Sequence, residues 1–202
     1  HEAGHASISW LLEYANPLIK VTIVPRGRAL GAAWYLPEER QITTKEQMLD
    51  EMCATLGGRA AEDLFLNRIS TGAMNDLERV TKQAYGMIAY LGMSDKLPNL
   101  CYYNNEEYSF NRPYSEKTAE LIDTEVKNMV NEQYERAKKI LSEHREGHNQ
   151  LAQLLIDKEV IFAEDVERIF GKRPWASRSE EIMAAKESQE AAEAEKRLAE
   201  EV

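Results

Sequence analysis

His1-Glu2-Ala3-Gly4-His5 sets the reading of the whole chain. H-E-x-x-H on a helix is the pattern of a zinc-peptidase active site, and its spacing has a physical reason. Residues four apart in an α-helix lie one above the other on one face. His1 and His5 can therefore aim two imidazole nitrogens at one ion about 2 Å from each. Glu2 sits too far round the helix to share that ion from the same turn. Its carboxylate is placed instead to hold a water beside the metal and take its proton. Gly4 removes a side chain where substrate or another backbone comes close. Past His5, Ile8, Leu11, Leu12 and Ala15 form one apolar helical stripe that Pro17 ends. A histidine on a fraying first turn is a poor ligand, so the helix is expected to begin before His1 and the natural chain to extend N-terminally.

Composition sets the outer bounds. The chain has 202 residues, 43% hydrophobic and 30% charged, which suits one good-sized core with or without an appendage. A formal charge of −10 argues against nucleic acid or an anionic membrane surface as the main partner. Cys53 and Cys101 are the two cysteines, and no CxxC occurs, so the pattern points to a reducing compartment. No run of about 18 apolar residues is present, and the segment is expected to be soluble by itself.

Outward from the motif, Ile19-Lys20-Val21-Thr22-Ile23-Val24 alternates and is rich in β-branched residues. Pro25-Arg26-Gly27 turns it, and Gly31 to Leu36 returns as a second strand before Pro37. The ribbon either holds an extended substrate by its edge, through Ile23, Val24, Gly31 and Ala32, or merely stabilises the fold. Thr43 with Glu46 and Thr44 with Gln47 are overlapping capping boxes for a helix running to Leu64. Gly57-Gly58 in its middle implies close packing against another helix. A helix from about Gly72 runs to Leu91, where Gly92 stops it. Asn75 or Asp76 at its start reads as an ordinary cap.

Residues 94–114 read as irregular, with Tyr102, Tyr103, Tyr108 and Phe110 as loop anchors. Ser115 opens the longest helix, reaching about Glu146. Shorter helices follow at Gln150–Asp157 and Phe162–Phe170. A second pair, His144 and His148, has i, i+4 spacing, but Glu146 fits neither H-E-x-x-H nor its inverse. Gly147 is expected to break the helix there, on a solvated surface. From about Arg178 the chain turns to Glu, Ala, Lys and Gln and reads as solvated helix or disorder. The domain division is thus 1–175 for the core and 176–202 for a charged tail. The fold class is mainly α with a small β-ribbon beside the H-E-x-x-H helix.

A catalytic zinc needs three protein ligands and an open position. With four histidines in the chain and no H-x-x-G-x-x-H continuation, the third ligand must be a distant carboxylate. Glu62, Asp63, Asp76, Glu120 and Asp123 are candidates, and spacing does not choose among them.

The sequence resembles the peptidase domain of the FtsH family of membrane-anchored, ATP-dependent zinc metalloproteases. The resemblance covers nearly everything to about residue 175. It rests on residues 1–6, Val24-Pro25-Arg26-Gly27, Leu36-Pro37-Glu38 and Leu56-Gly57-Gly58-Arg59-Ala60-Ala61-Glu62. Ser70-Thr71-Gly72-Ala73-Met74-Asn75-Asp76-Leu77, Gly92-Met93-Ser94-Asp95-Lys96-Leu97 and Ile122-Asp123-Thr124-Glu125-Val126 extend it. Asp63 stands where a second glutamate is common, and the last third matches more loosely.

The resemblance implies that Asp76 completes a zinc site of one ion per chain with His1 and His5. It also implies that Glu62 orients a ligating histidine and that Glu2 is the general base. It further implies an N-terminal AAA ATPase module with membrane helices, a homo-hexameric ring and polypeptide substrates. The location implied is the cell inner membrane, cytoplasmic side, or in a mitochondrial relative that organelle's inner membrane. The segment carries no Walker A pattern, so ATP enters only through that missing module. Protein quality control is the implied role. The competing expectation is a zinc-stabilised helical hexamerisation module with a vestigial site, against which intact Glu2 argues.

Overall fold

A computed structural model describes residues 1–25, 30–36, 42–102, 112–176, 181–186 and 188. The first helix, α1 (Glu2–Leu11), is the axis of the fold. Ala3 through Trp10 are all buried. Its small residues let neighbours approach on every side. On one side Ala3, Ala6 and Trp10 pack with Leu18, Val21, Leu151 and Ile161. On the other, Ile8 and Leu12 pack with Cys53, Ala60, Ala137 and Leu141. One helix is therefore shared by two cores, which fixes its position from both faces. It stops at Leu11, short of the full apolar stripe. The carbonyls of Leu12, Glu13 and Ala15 accept from Arg173, which ties the C-terminal segment to the end of α1.

The ribbon is β1 (Leu18–Thr22) and β2 (Ala32–Tyr35), paired antiparallel with a register shift between Leu18 and Lys20. The turn expected at Arg26-Gly27 and the segment Pro37-Glu38 lie outside the described residues. A third strand, β3 (Val160–Phe162), pairs antiparallel with β1 and gives the sheet order β2-β1-β3. The sequence reading has no strand here and places the helix start at Phe162. Three β-branched and aromatic residues hard against a helix leave no alternation to detect. The consequence is functional: β1 is an interior strand, and the outer edge of the sheet beside α1 is that of β2.

Thr44 makes the capping box with Gln47 and opens α2 (Lys45–Thr55). The single helix expected as far as Leu64 is divided. It stops at Leu56, restarts as α3 (Gly57–Ala61), and widens into a π-helical turn at Glu62–Leu66 that ends in left-handed Asn67. Glycine explains the break. Gly57 crosses Gly4 backbone to backbone, and a Cβ at Gly57 would stand 2.7 Å from the Gly4 carbonyl oxygen. The close packing expected of the glycine pair is thus against α1 itself.

A 3-10 turn at Thr71–Ala73 leads into α4 (Met74–Tyr85) and a π-helical turn at Gly86–Tyr90. Gly92, at φ +60°, follows as the stop. Tyr102 packs edge-on to Tyr114 at 5.1 Å, as a loop anchor should. Tyr103, Tyr108 and Phe110 lie outside the described residues.

Ser115 caps α5 (Glu116–Glu143), which ends three residues earlier than expected. The chain turns at His144 and restarts as α6 (Arg145–Lys158), followed after β3 by α7 (Ala163–Phe170). Gly147 does not break the helix. It lies inside α6 because the Phe170 ring packs against it, where a Cβ would come within 3.0 Å of Cζ. His148 is buried rather than solvated, with its ring stacked 4.1 Å from that of Phe65. Residues 181–186 of the tail are helical and exposed. Among the described residues no helix is long and apolar enough to cross a membrane.

Burial holds the His148 imidazole below its usual value of 6.5, and the charge of Arg145 adds to this. Above that value the ring is neutral in both folded and unfolded chains. As pH falls through 6.5 the unfolded chain takes up a proton that the folded chain refuses, so stability declines toward the lower folded value. Urea titrations from pH 7.5 to 5 are expected to show this decline in the wild type and a smaller one in His148→Phe. Equal slopes would mean that another group sets the acid limb.

Candidate metal centre

α1 places His1 and His5 one turn apart, with ring centroids 4.7 Å apart and ring planes at 78°. Each ring is held from behind. His1 Nδ1 donates to Glu62 Oε1 at 2.7 Å, and His5 Nδ1 donates to the Ala54 carbonyl at 3.0 Å. Both partners only accept, so the hydrogen of each neutral ring sits on Nδ1 and each Nε2 presents a lone pair. The two Nε2 atoms are 3.1 Å apart. Asp76 Oδ2 lies 3.4 Å from His1 Nε2 and 3.5 Å from His5 Nε2.

Three acceptors thus face one point, an arrangement that calls for a cation. Ligands about 2.0–2.1 Å from a tetrahedral zinc stand about 3.3–3.4 Å apart, so the triangle fits that ion. Among the described residues, no other group of three His, Cys, Asp or Glu side chains comes together this way.

Asp76 reaches the centre from the first turn of α4. It is not the helix cap: Ala73 occupies that position without a side-chain bond, while Ser70 caps the preceding 3-10 turn. Of the other candidate carboxylates, Glu62 binds the back of His1. Asp63 pairs with Lys138 and accepts from Tyr134. Glu120 and Asp123 are exposed on α5 and outside the cluster.

The electrostatics follow the geometry. Asp76, aided by Glu62, which accepts from Nδ1, and opposed by burial, raises the His1 imidazole. Burial pushes the Asp76 carboxyl up, but in the metal-free chain the imidazoles of His1 and His5, when doubly protonated, donate to it from Nε2, outweigh burial and hold the group well below the usual carboxylate range. Burial raises Glu2, with His5 and His1 opposing. Its carboxylate lies beneath the start of β2, where a Cβ on Gly31 would meet Glu2 Oε1 at 2.7 Å. Gly58 is equally constrained, since a Cβ there would stand 2.6 Å from His5 Nε2.

A cleft of about 1030 Å³ runs over these groups. His1, Glu2, His5 and Asp76 line it, together with Gly31 and Tyr35 of the ribbon. Of the residues expected to hold substrate, Ile23, Gly31 and Ala32 line this cleft, and Val24 does not. The Ile23 amide is spent on the Glu159 carbonyl, so β2 carries the better edge for a peptide.

Sequence reasoning missed Tyr35, whose hydroxyl accepts from Ser9 and which burial pushes up to about 12. It missed the Glu51–Arg79 ion pair and Ser70, which binds both oxygens of Glu62. Tyr35 in a strand facing the motif was the one readable signal. The others depend on tertiary placement.

A model described as peptidase family M41 matches residues 1–169. The chain is 72% identical over 189 residues to the ATP-dependent zinc metalloprotease FtsH of Parabacteroides distasonis, covering 93% of this chain and 28% of that protein. It is 49% identical to FTSH 10, mitochondrial, of Arabidopsis thaliana, over 88% of this chain and 22% of the relative. The mitochondrial inner membrane m-AAA protease component AFG3L2 of Mus musculus is 44% identical over 89% of this chain and 23% of its own length. The chain therefore spans less than a third of each of these relatives.

Proposed function

The chain belongs to peptidase family M41, and from that premise we propose that it is the zinc endopeptidase portion of a membrane-anchored, ATP-driven protease acting on polypeptides. The observation that carries this reading is the convergence of His1 Nε2, His5 Nε2 and Asp76 Oδ2, with the half-buried carboxylate of Glu2 lining the same cleft. Those three side chains would hold one zinc ion per chain. Zinc, when bound, supplies the Lewis acid that polarises the scissile carbonyl and makes water acidic enough to attack near neutral pH.

The chain's own groups do the rest. Glu2 takes the proton of the attacking water and returns it to the leaving amine. Glu62, and the Ala54 carbonyl in its turn, fix the two imidazoles in the tautomer that leaves Nε2 free. The edge of β2 receives an extended peptide over the cleft.

The peptidase unit is residues 1–175, with 176–202 as a charged tail. ATP hydrolysis, membrane anchoring and assembly into a homo-hexamer belong to the longer protein; of these, the names of the ATP-dependent relatives support the first. The location is the bacterial inner membrane with this domain on the cytoplasmic side, and the names of mitochondrial relatives support the organellar inner membrane as the alternative. The test is zinc content per chain alongside hydrolysis of casein by the full-length protein with ATP. About one zinc per chain and cleavage abolished by chelation are expected. Cleavage that survives complete removal of metal would defeat the proposal.

A further inference from the structure

The two halves of the cage come from distant segments, His1 and His5 at the start of α1 and Asp76 on α4. One residue touches the supports of both. The Ser70 amide donates to Glu62 Oε2 at 2.8 Å, and its hydroxyl donates to Glu62 Oε1 at 2.9 Å. Oε1 is the same oxygen that accepts from His1 Nδ1. The Ser70 hydroxyl in turn accepts from the Gly72 amide at 3.1 Å, at the start of the 3-10 turn that passes directly into α4 and Asp76. Arg59 holds the Ser70 carbonyl at 3.0 Å, from the same short helix that carries Gly58 against the imidazoles.

We propose that Ser70 is a positioning residue of the metal centre: its hydroxyl locks the carboxylate that orients His1 to the turn that delivers Asp76. This rests on the zinc reading above. A hydroxyl has one hydrogen to give, and here it gives it to a carboxylate while accepting from an amide, so both functions are used. The bond to Glu62 is charge-assisted and correspondingly strong. Alanine at this position leaves Glu62 one donor fewer and the turn uncapped. Glu62, still held by the backbone amide of residue 70, is then less firmly fixed and His1 with it, and the approach of Asp76 loosens. Threonine preserves the hydroxyl. The extended backbone at Ser70, φ −118° and ψ 172°, suits a β-branched side chain, and the exposed position has room for the methyl.

The test is zinc affinity by competition with a chromophoric chelator, without any assay of hydrolysis. The proteins are the wild type, Ser70→Ala, Ser70→Thr, Glu62→Ala and the Ser70→Ala/Glu62→Ala double variant. Ser70→Ala is expected to bind about tenfold more weakly, at the low end of the loss typical for outer partners of a metal site. Ser70→Thr restores wild-type affinity. The effect of Ser70→Ala shrinks in the Glu62→Ala background, because the two act as one unit.

Circular dichroism and the melting midpoint of the metal-free chains separate a folding defect from a positioning one. Wild-type affinity in Ser70→Ala, an undiminished effect in the double variant, or a Thr variant as weak as the Ala variant would each overturn the inference. A wild type that binds no zinc would instead overturn the metal reading beneath it.

Discussion

Glu2→Gln lowers hydrolysis of an unfolded protein by about 10²–10⁴-fold, the span typical of a lost general base, and leaves zinc in place. Glutamine keeps the size and shape of the side chain beneath Gly31, so the cleft is not reshaped. Residue 2 is not one of the three whose ligand atoms converge. What it removes is basicity. Burial raises the Glu2 carboxyl above its ordinary value, against the pull of His5 and His1. Glutamine in the same place still accepts a hydrogen bond but cannot take a proton. Initial rates on casein, with zinc measured on the same preparations, check this. A retained rate would assign the base elsewhere. Zinc lost together with activity would make Glu2 part of the cage.

Asp76→Ala abolishes stable zinc binding, with a loss greater than the roughly 10–100-fold expected when a supporting residue such as Glu62 is removed. Two neutral imidazoles remain, but the charged member of the set is gone. The same variant has a readout on the metal-free chain. Asp76 is the first cause of the raised His1 imidazole, so its removal is expected to move the His1 titration to lower pH in NMR spectra. A greater zinc loss in Glu62→Ala than in Asp76→Ala would exchange the roles of the two carboxylates.

The parts of this fold that were legible in the sequence carry their own local signal. Periodic apolar residues and caps announce α1, α2 and α5, and Thr44 and Ser115 cap the helices they were expected to cap. The motif at residues 1–5 names its own chemistry through helical spacing. What was not legible depends on contacts across the chain. Gly147 looks like a breaker until Phe170 is seen against it. Val160–Phe162 is too short to show alternation, and only pairing with β1 makes it a strand. Asp76 has the sequence surroundings of an ordinary cap. Only the turn that follows Ser70 aims its carboxylate at two imidazoles more than 70 residues away. Spacing left five carboxylates open as the third ligand. The resemblance pointed to one of them, and it is Asp76 that stands in the cluster.

X-ray absorption at the zinc edge of the metal-loaded wild-type protein is the most direct measurement of the central claim, that His1, His5 and Asp76 hold the ion. The expected spectrum has a four-coordinate first shell of light atoms at about 2.0–2.1 Å, with the outer-shell signature of two imidazoles and no sulfur. A third imidazole, a sulfur neighbour or a six-oxygen shell would contradict it.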